Sequence, residues 1–194
     1  MADTIILHCH SDKRLEDQAG TWQYLSQLES RYTIYHYLCR DTYDYADAVR
    51  AHWDGPHTLV NLEHDMEPDD GMLESLLECD SDLCGQAYWL SCLSTGRYEP
   101  LYCAFLGGNF LPLQYGDTQA DAMGLGLVKL TAQARQALGT PDRVPWNQLD
   151  YEILKHVRAS GLLWHVHWPA CLHNHGFMQG ENAKIKSFRE SLRG

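Results

Sequence analysis

The chain has 194 residues, of which 44% are hydrophobic, enough for one domain with a full core. Its formal net charge of −11 opposes nonspecific binding to nucleic acid or to an anionic membrane, which needs the opposite sign. No apolar run approaches the roughly 18 residues of a membrane span, and the opening MADTIILHCHSDKR carries an acid at position 3 and too short an apolar run for a secretory signal.

Thr4–His8 is apolar throughout, like an inner strand of a parallel sheet. It is expected to end in the polar cluster His8-Cys9-His10-Ser11-Asp12. A helix follows from about Arg14 to Ser30, with Leu15, Trp22, Leu25 and Leu28 as its apolar stripe. Tyr32–Leu38 reads as a second strand, ending in Cys39-Arg40-Asp41, and Tyr45–Trp53 as a second helix. After the turn signal Asp54-Gly55-Pro56 comes a third strand, Thr58–Leu62. Strand, helix, strand, helix, strand is the pattern of a parallel βαβαβ unit, the architecture of a mononucleotide-binding half. Neither GxGxxG nor GxxxxGK[ST] is present, which argues against a dinucleotide Rossmann site and excludes a P-loop.

The third strand stops on Glu63-His64-Asp65. Ligands of open α/β sheets sit beyond the carboxyl ends of the strands, where this trio falls. Two acids one residue apart suit a hard divalent cation, which prefers carboxylate oxygens and keeps positions open for phosphates. The plainer reading is that Glu63 and Asp65 are loop acids capping the next helix.

That helix is Asp69–Cys79, with Met72, Leu73, Leu76 and Leu77 inward. Leu83–Leu90 reads as a fourth strand, and Tyr98–Phe105 and Asn109–Leu113 as short ones. The passage from Gly124 and Gly126 to Leu130 leads into a helix, Thr131–Leu138, stopped by Gly139. Trp146–Asp150 opens a further helix to Ala159, with Gly161 as its stop. Leu162–Val166 is the last strand. His165, His167, His173 and His175 follow within HVHWPACLHNHG, and residues 179–194 form a polar tail in which Lys184, Lys186, Arg189 and Arg193 make a basic cluster. Seven cysteines without a CxxC pair read as reduced, buried thiols of a cytoplasmic protein.

This order of features resembles the GT-A-fold glycosyltransferases of the broad family-2 type, in a minimal form. Four stretches carry the resemblance: the amino-terminal half 1–65; Glu63-His64-Asp65 in the place of that family's Asp-x-Asp; the passage GLGLVKLTAQARQAL; and Trp146…Asp150 followed by late histidines. Two departures stand out. Glu63 replaces the first Asp, and Leu149-Asp150 replaces the family's Glu-Asp pair.

The resemblance implies an α/β domain over 1–178, with a mostly parallel sheet flanked by helices and an acceptor half at 66–178. It implies a metal-dependent enzyme moving a sugar from a nucleotide-diphosphate sugar, a UDP-sugar first among the candidates, to an acceptor hydroxyl. Glu63, Asp65 and His173 or His175 would hold Mn²⁺ or Mg²⁺. Asp150 would be the general base of an inverting displacement. His8, His10, Asp41 and His64 would line the nucleotide pocket, and Trp146, Gly124 and Gly126 the sugar or acceptor side. A glycan, a small molecule or a hydroxymethylated DNA base could be the acceptor, with DNA disfavoured by the net charge.

Each residue also has a structural reading. Asp150 stands where the helix dipole favours acids in any case; Trp146 could be core; one of His8 and His10 could be a satisfied buried histidine; His165 and His167 could be one strand face. Rival functions are a metal-dependent phosphoesterase using the same acids and histidines, and a non-catalytic nucleotide-sugar-binding module.

Overall fold

The computed structural model describes residues 3–12, 15–92, 97–102, 104–107, 109–111 and 117–173. Three parallel strands form the amino-terminal half: β1 (Thr4–His10), β2 (Thr33–Leu38) and β3 (Thr58–Glu63). β1 lies between the other two, with Ile6 level with Ile34 on one side and Val60 on the other. The connections are α1 (Leu15–Ser26) and α2 (Asp44–Ala51). β1 is two residues longer than expected, because His8, Cys9 and His10 keep ladder partners in both neighbours or in β2. His8, Cys9 and His10 therefore lie within the strand, and only Ser11 and Asp12 beyond it.

The second half completes the same sheet. After a two-residue strand β4 (Met66–Glu67) come α3 (Met72–Glu78) and β5 (Leu83–Cys92). The strands β6 (Arg97–Tyr102), β7 (Ala104–Leu106), β8 (Asn109–Phe110), β9 (Thr118–Ala120), β10 (Ala122–Met123) and β11 (Leu127–Leu130) precede α4 (Ala132–Leu138). A 3-10 turn, Trp146–Gln148, runs into α5 (Leu149–Ser160), and β12 (Trp164–His173) closes the described chain. The main path is β2-β1-β3-β11-β5-β12-β4, while β6 pairs with β5, β9 with β12, and β10-β7-β8 form a small second sheet. β1, β2, β3, β5 and β12 share one direction, and β11 and β4 oppose it. A mostly parallel central sheet flanked by helices is thus the architecture, as the element order implied.

The sheet separates two cores. On one face Leu7, Leu59, Val128 and Val166 pack with α2, α4 and α5 through Val49, Ala134 and Ile153. On the other, Ile6, Val60, Leu127 and Cys171 pack with α1 and α3 through Leu25 and Leu73. Burial on both faces explains why the inner strands read as continuous apolar runs.

α1 corrects the expected stripe. Leu15 is 63% exposed and Trp22 38%, whereas Gln18 and Thr21 are fully buried. These polar side chains face inward because they satisfy loop carbonyls: the Gln18 amide donates to Ser11 O at 2.9 Å and the Thr21 hydroxyl to His64 O at 2.7 Å. The inner face of the helix is thus a clamp on the loops at the carboxyl end of the sheet. No helix among the described residues is long and apolar enough to cross a membrane.

Candidate active site

Glu63 is the last residue of β3, and its backbone N–H donates to Gly126 O at 2.8 Å. Its side chain is directed to the α2 and α5 face. There the Tyr45 hydroxyl donates to Glu63 Oε1 at 2.9 Å, and Asn61 Nδ2 donates to the Tyr45 oxygen at 2.7 Å. Burial, then the charges of Asp150 and Asp65, hold the Glu63 carboxyl well above the ordinary carboxylate range. Asp65 is 6% exposed in the turn between β3 and β4. Asp150 stands in the first turn of α5. Asp150 is exposed, yet the protein crowded around its carboxyl pushes it up to about 6, against a partial offset from the Leu125 N–H. Acids from two elements distant in sequence therefore converge at the carboxyl end of the parallel strands.

The neighbouring elements are fastened to this point. Trp146 N donates to Thr42 O at 2.7 Å, tying the head of α5 to the loop after β2. The Trp146 ring itself is 62% exposed, so it is not core. Asp41 lies in the same loop, where its Oδ1 accepts from the backbone of Tyr43 and Asp44 at 2.7 and 3.1 Å, an Asx-type cap on α2. Gly124 and Gly126 are buried. A Cβ at Gly126 would stand 2.8 Å from Met66 Sδ and 2.9 Å from Tyr88 Cε1, so this glycine permits the close packing beneath Glu63. β12 ends with His173 level with Met66, next to Asp65 in the chain; its backbone is described there, and His175 lies outside the described residues.

The amino-terminal histidines gather on the opposite face. His8 is fully buried, with Nδ1 3.0 Å from His36 Nδ1. His10 stacks on it at 5.3 Å, and the rings of Trp22 and His36 stack on each other at 4.8 Å over it. Burial and the neighbouring rings of His36, His10 and His64 lower His8 to about 3, so its imidazole is neutral. His8 has no solvent-facing edge, whereas His10, His36 and His64 retain one. The acids and these histidines flank the same strand tips from opposite sides of the sheet.

A second cluster was not singled out by the sequence. Among the described residues, Cys79, His165 and His167 form a group of three whose potential metal-ligand atoms all lie within 4.8 Å of one another. The acids form no such group. The signal available in the sequence was the alternate spacing of His165 and His167 on one strand face. Cys79 lies 86 residues from His165 and nothing local connects them.

No protein-family model matches the chain, and no curated protein matches it in sequence. Its fold recurs among solved structures. The chain is similar to A197 from STIV, with a TM-score of 0.54 and 12% identity over 85% of this chain and 81% of that one. It is similar to a Drosophila β1,4-galactosyltransferase 7, solved as a mutant complex with manganese, UDP-Gal and xylobiose, with a TM-score of 0.50 and 9% identity over 84% of this chain and 64% of that one. It therefore spans just under two thirds of the galactosyltransferase. It is also similar to an apo UDP-glucose pyrophosphorylase, with a TM-score of 0.50 and 10% identity over 95% of this chain and 82% of that one. Identities this low establish a common fold, one that includes enzymes of nucleotide sugars.

Proposed function

We propose that this protein is a glycosyltransferase that moves a sugar from a nucleotide-diphosphate sugar, a UDP-sugar first among them, to an acceptor hydroxyl. The observation that carries the reading is the convergence of Glu63, Asp65 and Asp150 at the carboxyl end of the parallel strands, in a fold shared with nucleotide-sugar enzymes. Carboxylate oxygens fit Mn²⁺ or Mg²⁺. Asp65 and Glu63 would hold the ion, and His173 or His175 would be a further ligand. When bound, such an ion neutralises charge developing on a departing diphosphate.

Asp150 takes the proton of the acceptor hydroxyl as its oxygen bonds to the anomeric carbon. The bond from that carbon to the diphosphate oxygen breaks, and its electron pair leaves with the nucleoside diphosphate. A base raised to about 6 is nearer the working pH than an ordinary aspartate and a better proton acceptor in the transition state. Tyr45, fixed by Asn61, donates to Glu63 and sets its orientation. The exposed Trp146 offers a face for the sugar or acceptor. His10 and His64, with Asp41 in the loop after β2, would line the nucleotide, with His8 as a buried support.

The test is incubation with a panel of nucleotide sugars and Mn²⁺, following release of free nucleoside diphosphate. Asp65→Asn and Asp150→Asn are expected to abolish it. Undiminished metal-dependent release by Asp65→Asn, or hydrolysis of simple phosphoesters in place of nucleotide-sugar turnover, overturns the reading.

A further inference from the structure

We propose that Cys79, His165 and His167 form a zinc site whose fourth position opens to a surface cleft, separate from the acids on the far side of the sheet. His165 and His167 alternate along β12, which puts both rings on the α3 face, stacked at 4.5 Å and 12°. Cys79 stands just past the end of α3, with its sulfur 3.4 Å from His165 Nδ1. Tetrahedral zinc with ordinary Zn–S and Zn–N bonds holds such a pair about 3.6 Å apart. The separation already present is thus close to the one a bound ion requires.

The outer partners favour the same chemistry. Asp117 Oδ2 lies 3.2 Å from His165 Nε2. A carboxylate there accepts the Nε2 proton and leaves the Nδ1 lone pair directed at the cysteine, the tautomer of carboxylate–histidine–metal triads. His167 is buried, and its Nε2 has no hydrogen-bond partner among the described residues, while Nδ1 is 3.5 Å from the Ser75 hydroxyl. The backbone at Cys79 is anchored by Lys129, whose ammonium donates to Cys79 O at 2.6 Å. Cys84, on the adjacent strand, donates its thiol to Ser81 O at 3.2 Å, and the sulfur that converges with the two imidazoles is that of Cys79.

One thiolate with two imidazoles is a soft donor set, suited to zinc and unsuited to the Mg²⁺ or Mn²⁺ proposed for the carboxylates. The three residues line a cleft of about 490 Å³ with Ser75, Glu78 and Asp117. Three protein ligands with an open fourth place leave room for a water or another small ligand. Zinc binding would displace the Cys79 thiol proton to solvent.

The full chain, stripped of metal by a chelator and kept reduced, is titrated with Co²⁺ as the spectroscopic probe. One equivalent is expected to produce tetrahedral d–d bands and a thiolate-to-cobalt charge-transfer band. Zn²⁺ abolishes both signals and excess Mn²⁺ leaves them. Cys79→Ser is expected to remove the charge-transfer band, and His167→Gln to weaken Zn²⁺ binding at least 100-fold. Asp117→Asn, a surface change that leaves the core intact, is expected to weaken it about 10- to 100-fold. Asp65→Asn leaves the cobalt spectrum unchanged, which separates this site from the proposed transferase centre. Absence of the charge-transfer band, or its persistence in Cys79→Ser, overturns the assignment, as does wild-type zinc affinity in Asp117→Asn.

Discussion

Replacing Asp150 by Asn is expected to stabilise the metal-free protein at neutral pH while abolishing turnover. A carboxyl at about 6 in the folded chain, against 3.8 ordinarily, costs the folded state about 3 kcal/mol once it is ionised in both states. The side chain keeps solvent contact, and screening there removes half or more of that figure, leaving about 1 kcal/mol. The folded state binds the extra proton, so the cost is absent below pH 3.8, grows as pH rises towards about 6, and is constant above. Asn has nearly the same shape and can still accept from the Leu125 N–H. The variant should therefore match wild type at pH 4 and exceed it by about 1 kcal/mol at pH 7.5. Urea unfolding of both proteins across this range, at constant ionic strength with a chelator present, measures the difference; groups common to both cancel. A gap independent of pH, or a variant less stable than wild type at pH 7.5, refutes the reasoning. Gained stability with lost activity is what a residue retained for chemistry shows, since a structural acid would lose both.

His8→Phe should flatten the acid limb of stability. His8 is held at about 3, well below 6.5, so its contribution is present above 6.5 and is lost as pH falls towards 3; urea midpoints at pH 6.5 and 4 should differ less in the variant, the wild-type loss reaching about 3 kcal/mol from this group at most. Arg135→Met should cost about 3–5 kcal/mol, read by urea unfolding, because the buried guanidinium donates to the carbonyls of Trp53, Leu130, Gly55 and His57 at 2.6–3.1 Å and would leave them without it. Gly126→Ala should cost about 1–3 kcal/mol by overpacking against Met66 and Tyr88, and should lower turnover by shifting the carbonyl that accepts from the Glu63 amide; thermal unfolding and the nucleotide-release assay check the two parts.

Much of the fold was legible because strand and helix periodicity are local. Thr58–Leu62 reads as a buried strand from five adjacent residues, and it forms one, extended by Glu63. Gly139 and Gly161 stop α4 and α5 as read, at φ of 71° and 73°, where a side chain would be strained. α1 was the exception. Of its expected stripe Leu25 and Leu28 are inward but Leu15 and Trp22 outward, because Gln18 and Thr21 gain more from buried loop carbonyls than those two apolar side chains gain from a core already filled by Tyr24, Leu25 and Leu28. β4 was invisible for a related reason: two residues become a strand only because the end of β12 arrives beside them.

By itself, then, the sequence determined the order of the amino-terminal βαβαβ unit and the acids at the end of β3, since those rest on neighbours within a few residues. Only the tertiary structure decided which side chains share a site. It brought Asp150 to Glu63 and Asp65, turned His8 away from solvent under His36 and Trp22, and carried Cys79 to His165 and His167. The physical reason is the sheet: strand pairing sets neighbours across scores of residues, and the alternation of side chains assigns each to one face, neither of which any local pattern encodes.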